Sequence, residues 1–288
     1  MLWLPLALLN AFFESIANAL GKRGALKIDV LSVAWAQRFF ALFLLLPLTI
    51  LTHSFRSVNE TFWIALIATS ALNTLTSILF VKAIKDSPLS LTLPIVSLTP
   101  VFLLITSPLI IGEFPKPLGV IGILSTVIGA YILNLSKRVN GPLAPLLSIV
   151  KEKGSRLMLI VAIIWSVTSN FDKIAVKNSN PLLFSLASTF IILLFLTVVL
   201  GFKKISLSAI LRNSKILAPI GFASGLSTLF QMTAISLTIV PNVITVKRTS
   251  AIFGIVWGKF FFKEENIKER LIGTAVMIIG VILITISS

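Results

Sequence analysis

The sequence predicts an all-α membrane protein, ten transmembrane helices built from two inverted five-helix repeats. Three observations predict it: a composition too apolar for water, ten apolar runs of spanning length, and landmarks that recur at a fixed offset. Of 288 residues, 56% are hydrophobic and only 12% are charged, and the mean hydropathy is +1.02. A soluble domain carries about 25% charged residues, so this chain cannot coat a globule of its size. A soluble enzyme and a disordered chain are excluded, as is a disulfide scaffold, because Cys is 0. A net charge of +15 would suit a nucleic-acid binder. Here the basic residues cluster in short breaks between apolar runs, which is how membrane topology is written. The expected partner is the lipid bilayer, with no nucleic acid.

A spanning helix needs about 20 mostly apolar residues. Such runs lie at 2–20, 31–52, 61–81, 88–111, 117–136, 157–176, 181–201, 216–236, 240–262 and 270–287. Bare backbone polar groups are not tolerated in lipid, so each run is expected to be helical. The alternating ten-residue segments of a transmembrane barrel do not occur. Ala17-Asn18-Ala19 looks like a signal cleavage site, but there is no basic segment before it and Glu14 interrupts the apolar stretch; a retained first helix is expected. In the fourth run, Pro94, Pro100 and Pro108 predict a kink with freed carbonyls facing protein or water. The longest break, 137–156, carries Lys137, Arg138, Lys151, Lys153 and Arg156 with Gly141, Pro142 and Pro145. It divides the chain into a first repeat, 1–136, and a second, 157–288, expected to form one integrated membrane domain.

Shifting the first half by 151 residues makes landmarks coincide. Glu113 falls on Glu264, Gly122 and Gly129 on Gly273 and Gly280, Ala83 on Ala234, Phe102 on Phe253 and Phe39 on Phe190. Asn18 meets Asn170 at a shift one residue longer. Five helices per half is an odd number, so two such halves in series take opposite orientations in the bilayer, the inverted-repeat plan of many secondary transporters. Each glycine pair is seven residues apart and makes one smooth stripe, suited to close helix packing, with a dimer face as the alternative.

In this order and spacing the chain resembles the drug/metabolite transporter superfamily, EamA type. The resemblance covers the whole chain. It is carried by Phe12-Phe13-Glu14-Ser15, Arg38-Phe39, Ala83-Ile84-Lys85, Thr99-Pro100-Val101-Phe102 and Gly112-Glu113 in the first half. Ile164-Trp165-Ser166, Phe171-Asp172-Lys173-Ile174-Ala175 and Lys247-Arg248-Thr249-Ser250 carry it in the second. Ala251 departs from its repeat partner Pro100. The resemblance implies ten helices and carriage of small metabolites.

Charge sets an expected orientation. Eighteen of the 25 Lys and Arg lie in the breaks after runs 1, 3, 5, 7 and 9; the opposite side carries four, Arg56, Lys116, Lys173 and Lys177. The positive-inside rule places the first set in the cytoplasm and both termini outside, whereas relatives usually keep both termini cytoplasmic. The absence of cysteine makes the choice testable. A single cysteine placed in 137–156 is expected to react only with reagents that reach the cytoplasmic side; labelling from outside alone would reverse the orientation.

An ionised side chain in the bilayer core costs at least about 2.5–3.5 kcal/mol, so the few that occur need a reason. Lys247 and Arg248 lie seven and eight residues into the ninth run, about 11 Å deep at 1.5 Å per residue. Snorkelling lifts one of them more readily than both, since neighbours on a helix point about 100° apart. Two adjacent cations suit an anion: Arg offers a planar fork for carboxylate or phosphate and Lys a mobile point charge. Neutralisation by acidic partners within the bundle is the alternative. A Lys-Arg pair on the penultimate helix binds phosphate in the triose-phosphate translocators of the superfamily, which implies an anionic substrate. Those relatives add a basic residue on helix 4, where this chain has Val96 and Ser97.

Asp172 lies at a depth comparable to Lys247 and Arg248 and is a candidate partner for either; Asp172-Lys173 also suits a local interfacial pair. Glu14 and Arg38 count from the same membrane side and can meet. By resemblance to small multidrug exporters, Glu14 could instead take up a proton during transport. Asn18, one turn after Glu14, shares its face. Asn18, Asn170, Gln231 and Trp165 are candidate substrate contacts, with interhelical hydrogen bonding or packing as the plainer reading. Glu113 and Glu264 fall at run ends and read as anchors or gate partners.

No hydrolytic or metal constellation is present in the sequence: His53 is the only histidine and lies in a break, and no glycine loop suits a phosphate cofactor. Neither an enzyme, a cofactor nor a metal is expected. The expected protein is a multi-pass secondary transporter, in the plasma membrane, driven by a gradient or by exchange. Its expected substrate is an organic anion or zwitterion at Lys247, Arg248 and Arg38, with a proton or counter-substrate as coupling partner. The rival is proton-coupled export of cationic or hydrophobic compounds using Glu14 and Asp172.

Overall fold

The computed structural model of the chain describes residues 2–25, 28–86, 94–134, 143–205, 207–262 and 267–288. The chain is helical, and no strand occurs among the described residues. The helices are α1 (Trp3–Ala25), α2 (Val30–Leu51), α3 (Glu60–Asp86), α4 (Thr99–Ile111) and α5 (Pro117–Asn134) in the first half. A short α6 (Ala144–Lys151) follows. The second half holds α7 (Lys153–Lys177), α8 (Pro181–Phe202), a single-turn α9 (Leu207–Leu211), α10 (Ser214–Leu237), α11 (Val240–Lys247), α12 (Ser250–Phe262) and α13 (Ile267–Ser287).

Among the described residues, seven segments are long and apolar enough to cross a membrane. They match runs 1–4 and 6–8, while runs 5 and 10 correspond to shorter apolar helices. Run 9 is a correction to the sequence expectation: it is two helices, α11 and α12, separated at Arg248 and Thr249. The division falls on the polar stretch Lys247-Arg248-Thr249-Ser250, which a window averaging over about 20 residues carries through without a boundary. The exposed surface is apolar where lipid is expected. On α2, Phe43, Leu46 and Ile50 face outward while Ser32 and Thr49 are buried, the reverse of a water-soluble helix.

Contacts gather the chain into two compact units, each drawn from both halves of the sequence. One contains Leu2–Ser77 and Phe171–Leu237. In it α1 packs along α10, α10 on α2, and α2 on α8. The starts are set by local chemistry: the Asp29 carboxylate accepts the Ser32 amide at 3.2 Å, Asn59 the Phe62 amide at 3.0 Å, and Asn180 the Leu183 amide at 2.8 Å. These are N-caps satisfying first-turn donors. Trp35 Nε1 donates to Thr197 Oγ1 at 2.8 Å, fixing α2 on α8.

The other unit contains Ile78–Asn170 and Thr238–Ser288. Its axis is the α5–α13 crossing, and α11 packs against α4, α5 and α13. A Cβ built on Gly122 would lie 2.6 Å from the Gly280 carbonyl oxygen, and one on Gly129 would lie 2.6 Å from that of Gly273. Gly122 therefore meets the repeat partner of Gly129, and Gly129 meets the partner of Gly122. Equivalent helices of the two halves run antiparallel with reciprocal contacts, as a local two-fold relation requires. The glycine stripes are spent on each other within the chain. At the end of α4, Gly112 takes φ +68°, the left-handed cap that glycine reaches without steric cost.

Candidate functional site

The ninth run breaks by tightening rather than by unwinding. Arg248 N donates to Thr245 O at 3.0 Å, Thr249 N to Val246 O at 2.9 Å, and Ile252 N to Thr249 O at 2.9 Å. These bonds span three residues where a helix spans four. The fourth run does the same. Ser97 N donates to Pro94 O at 3.2 Å, Leu98 N to Ile95 O at 3.0 Å, and Val101 N to Leu98 O at 2.9 Å. Adding 151 to each of these five residues gives the corresponding bonds in the second half. The expected kink of the fourth run is thus at Ser97-Leu98. Pro100 takes the second position of α4, where its missing N–H costs no helical bond, and α4 continues through Pro108. Proline alone does not make the turn, since Ala251 stands at the equivalent place and donates to Arg248 O at 3.1 Å. Hydroxyls help: Thr99 Oγ1 donates to Val96 O and Thr249 Oγ1 to Val246 O, each at 2.7 Å.

Non-helical backbone at membrane depth survives where protein buries it or a polar cavity receives it. Ser97, Thr99, Thr245 and Thr249 are buried, and so is every residue of α11 from Val240 to Val246. Lys247 and Arg248 are half-buried. Lys247 ends α11, where the negative end of the helix favours a cation, and Arg248 caps it. The far end of α11 is pinned by Glu113, whose Oε2 accepts the Val240 amide at 3.0 Å. Glu113 is therefore an anchor between the end of α4 and the start of α11. Glu264, its repeat partner, lies outside the described residues.

Asn170 and Trp165 are spoken for by packing. Ser107 Oγ donates to Asn170 Oδ1 at 2.8 Å. Asn170 Nδ2 donates to Ser166 O at 2.8 Å and to Thr106 Oγ1 at 3.2 Å. Asn170 is fully buried, so its amide ties α7 to α4. Trp165 stacks on Phe80, ring centroids 6.1 Å apart, against the core around Ala83, Ile95 and Met158. Asn170→Ala is expected to lower stability by about 1 kcal/mol, the scale of interhelical hydrogen bonds in membranes, and to leave substrate KM unchanged. Thermal unfolding and transport kinetics check this; a large KM rise with unchanged stability would place Asn170 on the substrate.

The remaining predicted residues lie in the other unit. Glu14 and Asp172 both act electrostatically on Arg38, so α1, α2 and α7 bring these three charges together. Asp172, considered from the sequence as a partner for Lys247 or Arg248, accepts a hydrogen bond from Thr69 at 2.6 Å, and Thr69 Oγ1 in turn accepts from Asn73 at 3.2 Å. Lys173 is buried and donates to the Ile235 carbonyl at 2.6 Å, near the end of α10. Glu14 accepts from Ser227 at 3.0 Å, and Ser227 also lies 2.8 Å from Asn10 Oδ1. Gln231 is buried one turn beyond Ser227. Asn18 is exposed. Sequence reasoning missed Asn10, Ser227 and Thr69. Asn10 had a signal, lying one turn before Glu14 on the same face. A cavity of about 310 Å³ in this unit is lined by Thr52, His53, Arg56, Asn180 and Thr233 among others; none of the predicted site residues lines it.

Comparison with known proteins follows the repeat. The model of the EamA-like transporter family matches residues 1–135 and 152–286. A solved crystal structure, described simply as that of a protein, superposes with a TM-score of 0.71 at 13% identity, over 99% of this chain and 96% of its own; this likeness is one of fold. No curated protein matches the sequence.

Proposed function

The chain belongs to the EamA-like transporter family, and from that premise we propose that it is a secondary transporter of a small organic anion or zwitterion, an amino acid, carboxylate or phosphorylated metabolite, recognised by Lys247 and Arg248. It is an integral multi-pass membrane protein; the plasma membrane is the proposed location and a gradient or exchange the proposed driving force. One observation carries the reading. Two adjacent cations stand at a helix break whose hydrogen-bond pattern recurs, bond for bond, in the other repeat. Paired interrupted helices are where transporters of inverted-repeat design build their substrate sites.

Arg38 weighs against the rival reading. A guanidinium within electrostatic reach of both Glu14 and Asp172 offsets one of their two negative charges and would repel a cationic drug brought up to them. Reconstituted chain should take up labelled carboxylates or phosphorylated metabolites and ignore a cationic dye. Dye efflux that is lost in Glu14→Gln and kept without Lys247 and Arg248 would establish the rival.

A further inference from the structure

We propose that α6 and the basic residues that follow it form a binding site for anionic phospholipid headgroups at the membrane–water boundary. The helix wears its faces inside out. Leu143, Leu146, Leu147 and Val150, spaced one turn apart along one side, are 62%, 38%, 61% and 80% exposed. The opposite side, turned to the protein, holds Pro145 and Ser148, both buried. In water such a helix would turn over, since burying each exposed side chain is favourable by about 1.5–3 kcal/mol.

It does not turn over because polar bonds hold it. Ser148 Oγ meets Ser155 Oγ of α7 at 2.7 Å and donates to Pro145 O at 2.6 Å. The backbone of Leu146 is hydrogen-bonded to Tyr131 on α5, and Ile149 packs on the core that includes Met158 and Val161. The apolar side is thus aimed outward by construction, which suits a lipid acyl boundary.

Charge selects the kind of lipid. Lys151, Lys153 and Arg156 are exposed. Lys153 and Arg156 lie in the opening turn of the 25-residue α7, which has no acidic residue in that turn. Cations at the positive end of a helix contradict the macrodipole preference. An anion drawn there answers both the side chains and the helix end. Extended Glu152 (φ −106°, ψ 126°) redirects the chain between α6 and α7, so apolar face and cations stand beside one another. A phosphodiester headgroup with its acyl chain matches this order of charge and grease. The remaining basic residues of the break, Lys137 and Arg138, lie outside the described residues.

The test uses the full chain in vesicles, with Leu147→Cys as its single thiol carrying a bimane fluorophore. Quenching is compared for spin-labelled phosphatidylglycerol and spin-labelled phosphatidylcholine at equal mole fraction. Each basic residue near an anionic surface enriches it by about fivefold, so quenching by the anionic lipid is expected to exceed that by the zwitterionic one at least severalfold. Lys151→Gln, Lys153→Gln and Arg156→Gln together should equalise the two. Equal quenching in the chain with its basic residues intact would overturn the charge preference. Quenching by neither lipid would mean that protein, this chain's or another copy's, covers the face, and would overturn the site. Because the intact chain decides both outcomes, misfolding of the triple variant does not rescue the proposal.

Discussion

Replacing Lys247 and Arg248 together by glutamine is expected to lower anion uptake at least about a hundredfold while the protein stays folded. A hydrogen bond to a charged group contributes about 1.5–3 kcal/mol, and 1.4 kcal/mol is a factor of ten. Each single replacement should therefore cost about tenfold to a hundredfold. The two losses will not add simply, because neighbours that share one ligand are coupled. Arg248→Lys should recover only part of the loss, since a compact ammonium cannot reproduce the planar two-pronged contact with a carboxylate or phosphate. Thermal unfolding in detergent separates lost binding from lost fold. Undiminished uptake by the double variant would remove the anion site.

The second large effect is structural. Gly122→Val and Gly129→Val should each destabilise the protein by about 1–3 kcal/mol or more, because the added atoms meet backbone rather than a flexible side-chain tip. The nearest neighbours of a Cβ on Gly122 are the Gly280 carbonyl oxygen at 2.6 Å and Ile284 N at 2.8 Å. On Gly129 they are the Gly273 oxygen at 2.6 Å and Met277 N at 2.7 Å. Neither helix can yield locally, so the α5–α13 pair must part along its length. Gly201 and Gly254 have nothing within 4 Å of a built Cβ. Gly201→Ala and Gly254→Ala should not destabilise the protein and should add up to about 1 kcal/mol, the helical preference for alanine over glycine. Valine at 122 or 129 with an unchanged unfolding temperature would show that the crossing is looser than the structure has it.

How much of this was legible follows from what each signal measures. Apolar runs and the 151-residue offset are one-dimensional properties, and they located nearly every long helix and the reciprocal glycines. The break at Arg248 coincides with the polar stretch Lys247-Arg248-Thr249-Ser250, but polar residues inside a run do not by themselves say whether the helix continues through them. In the fourth run, Pro100 announced a distortion but not that it would fall at Ser97-Leu98. The 137–156 segment read as a basic connection, since an eight-residue helix is far too short to register as a span; its outward apolar side required the buried Ser148 to be seen. Polar residues in runs were the least legible. Asn170 and Gln231 looked alike in sequence, yet only the structure shows that Asn170's amide is committed to Ser107, Thr106 and Ser166. Among the charges, Glu14 and Arg38 share a membrane side in the sequence, whereas nothing in the sequence set Asp172 within reach of Arg38 rather than beside Lys247, Arg248 or Lys173.

The natural absence of cysteine offers the most direct measurement of charge at the ninth-run break. Lys247→Cys should lose anion transport. Aminoethyl methanethiosulfonate, which restores a positive group at that place, should return it, and the sulfonatoethyl reagent, which installs a negative one, should not. Equal transport after either modification, with the thiol shown to have reacted, would contradict anion recognition there.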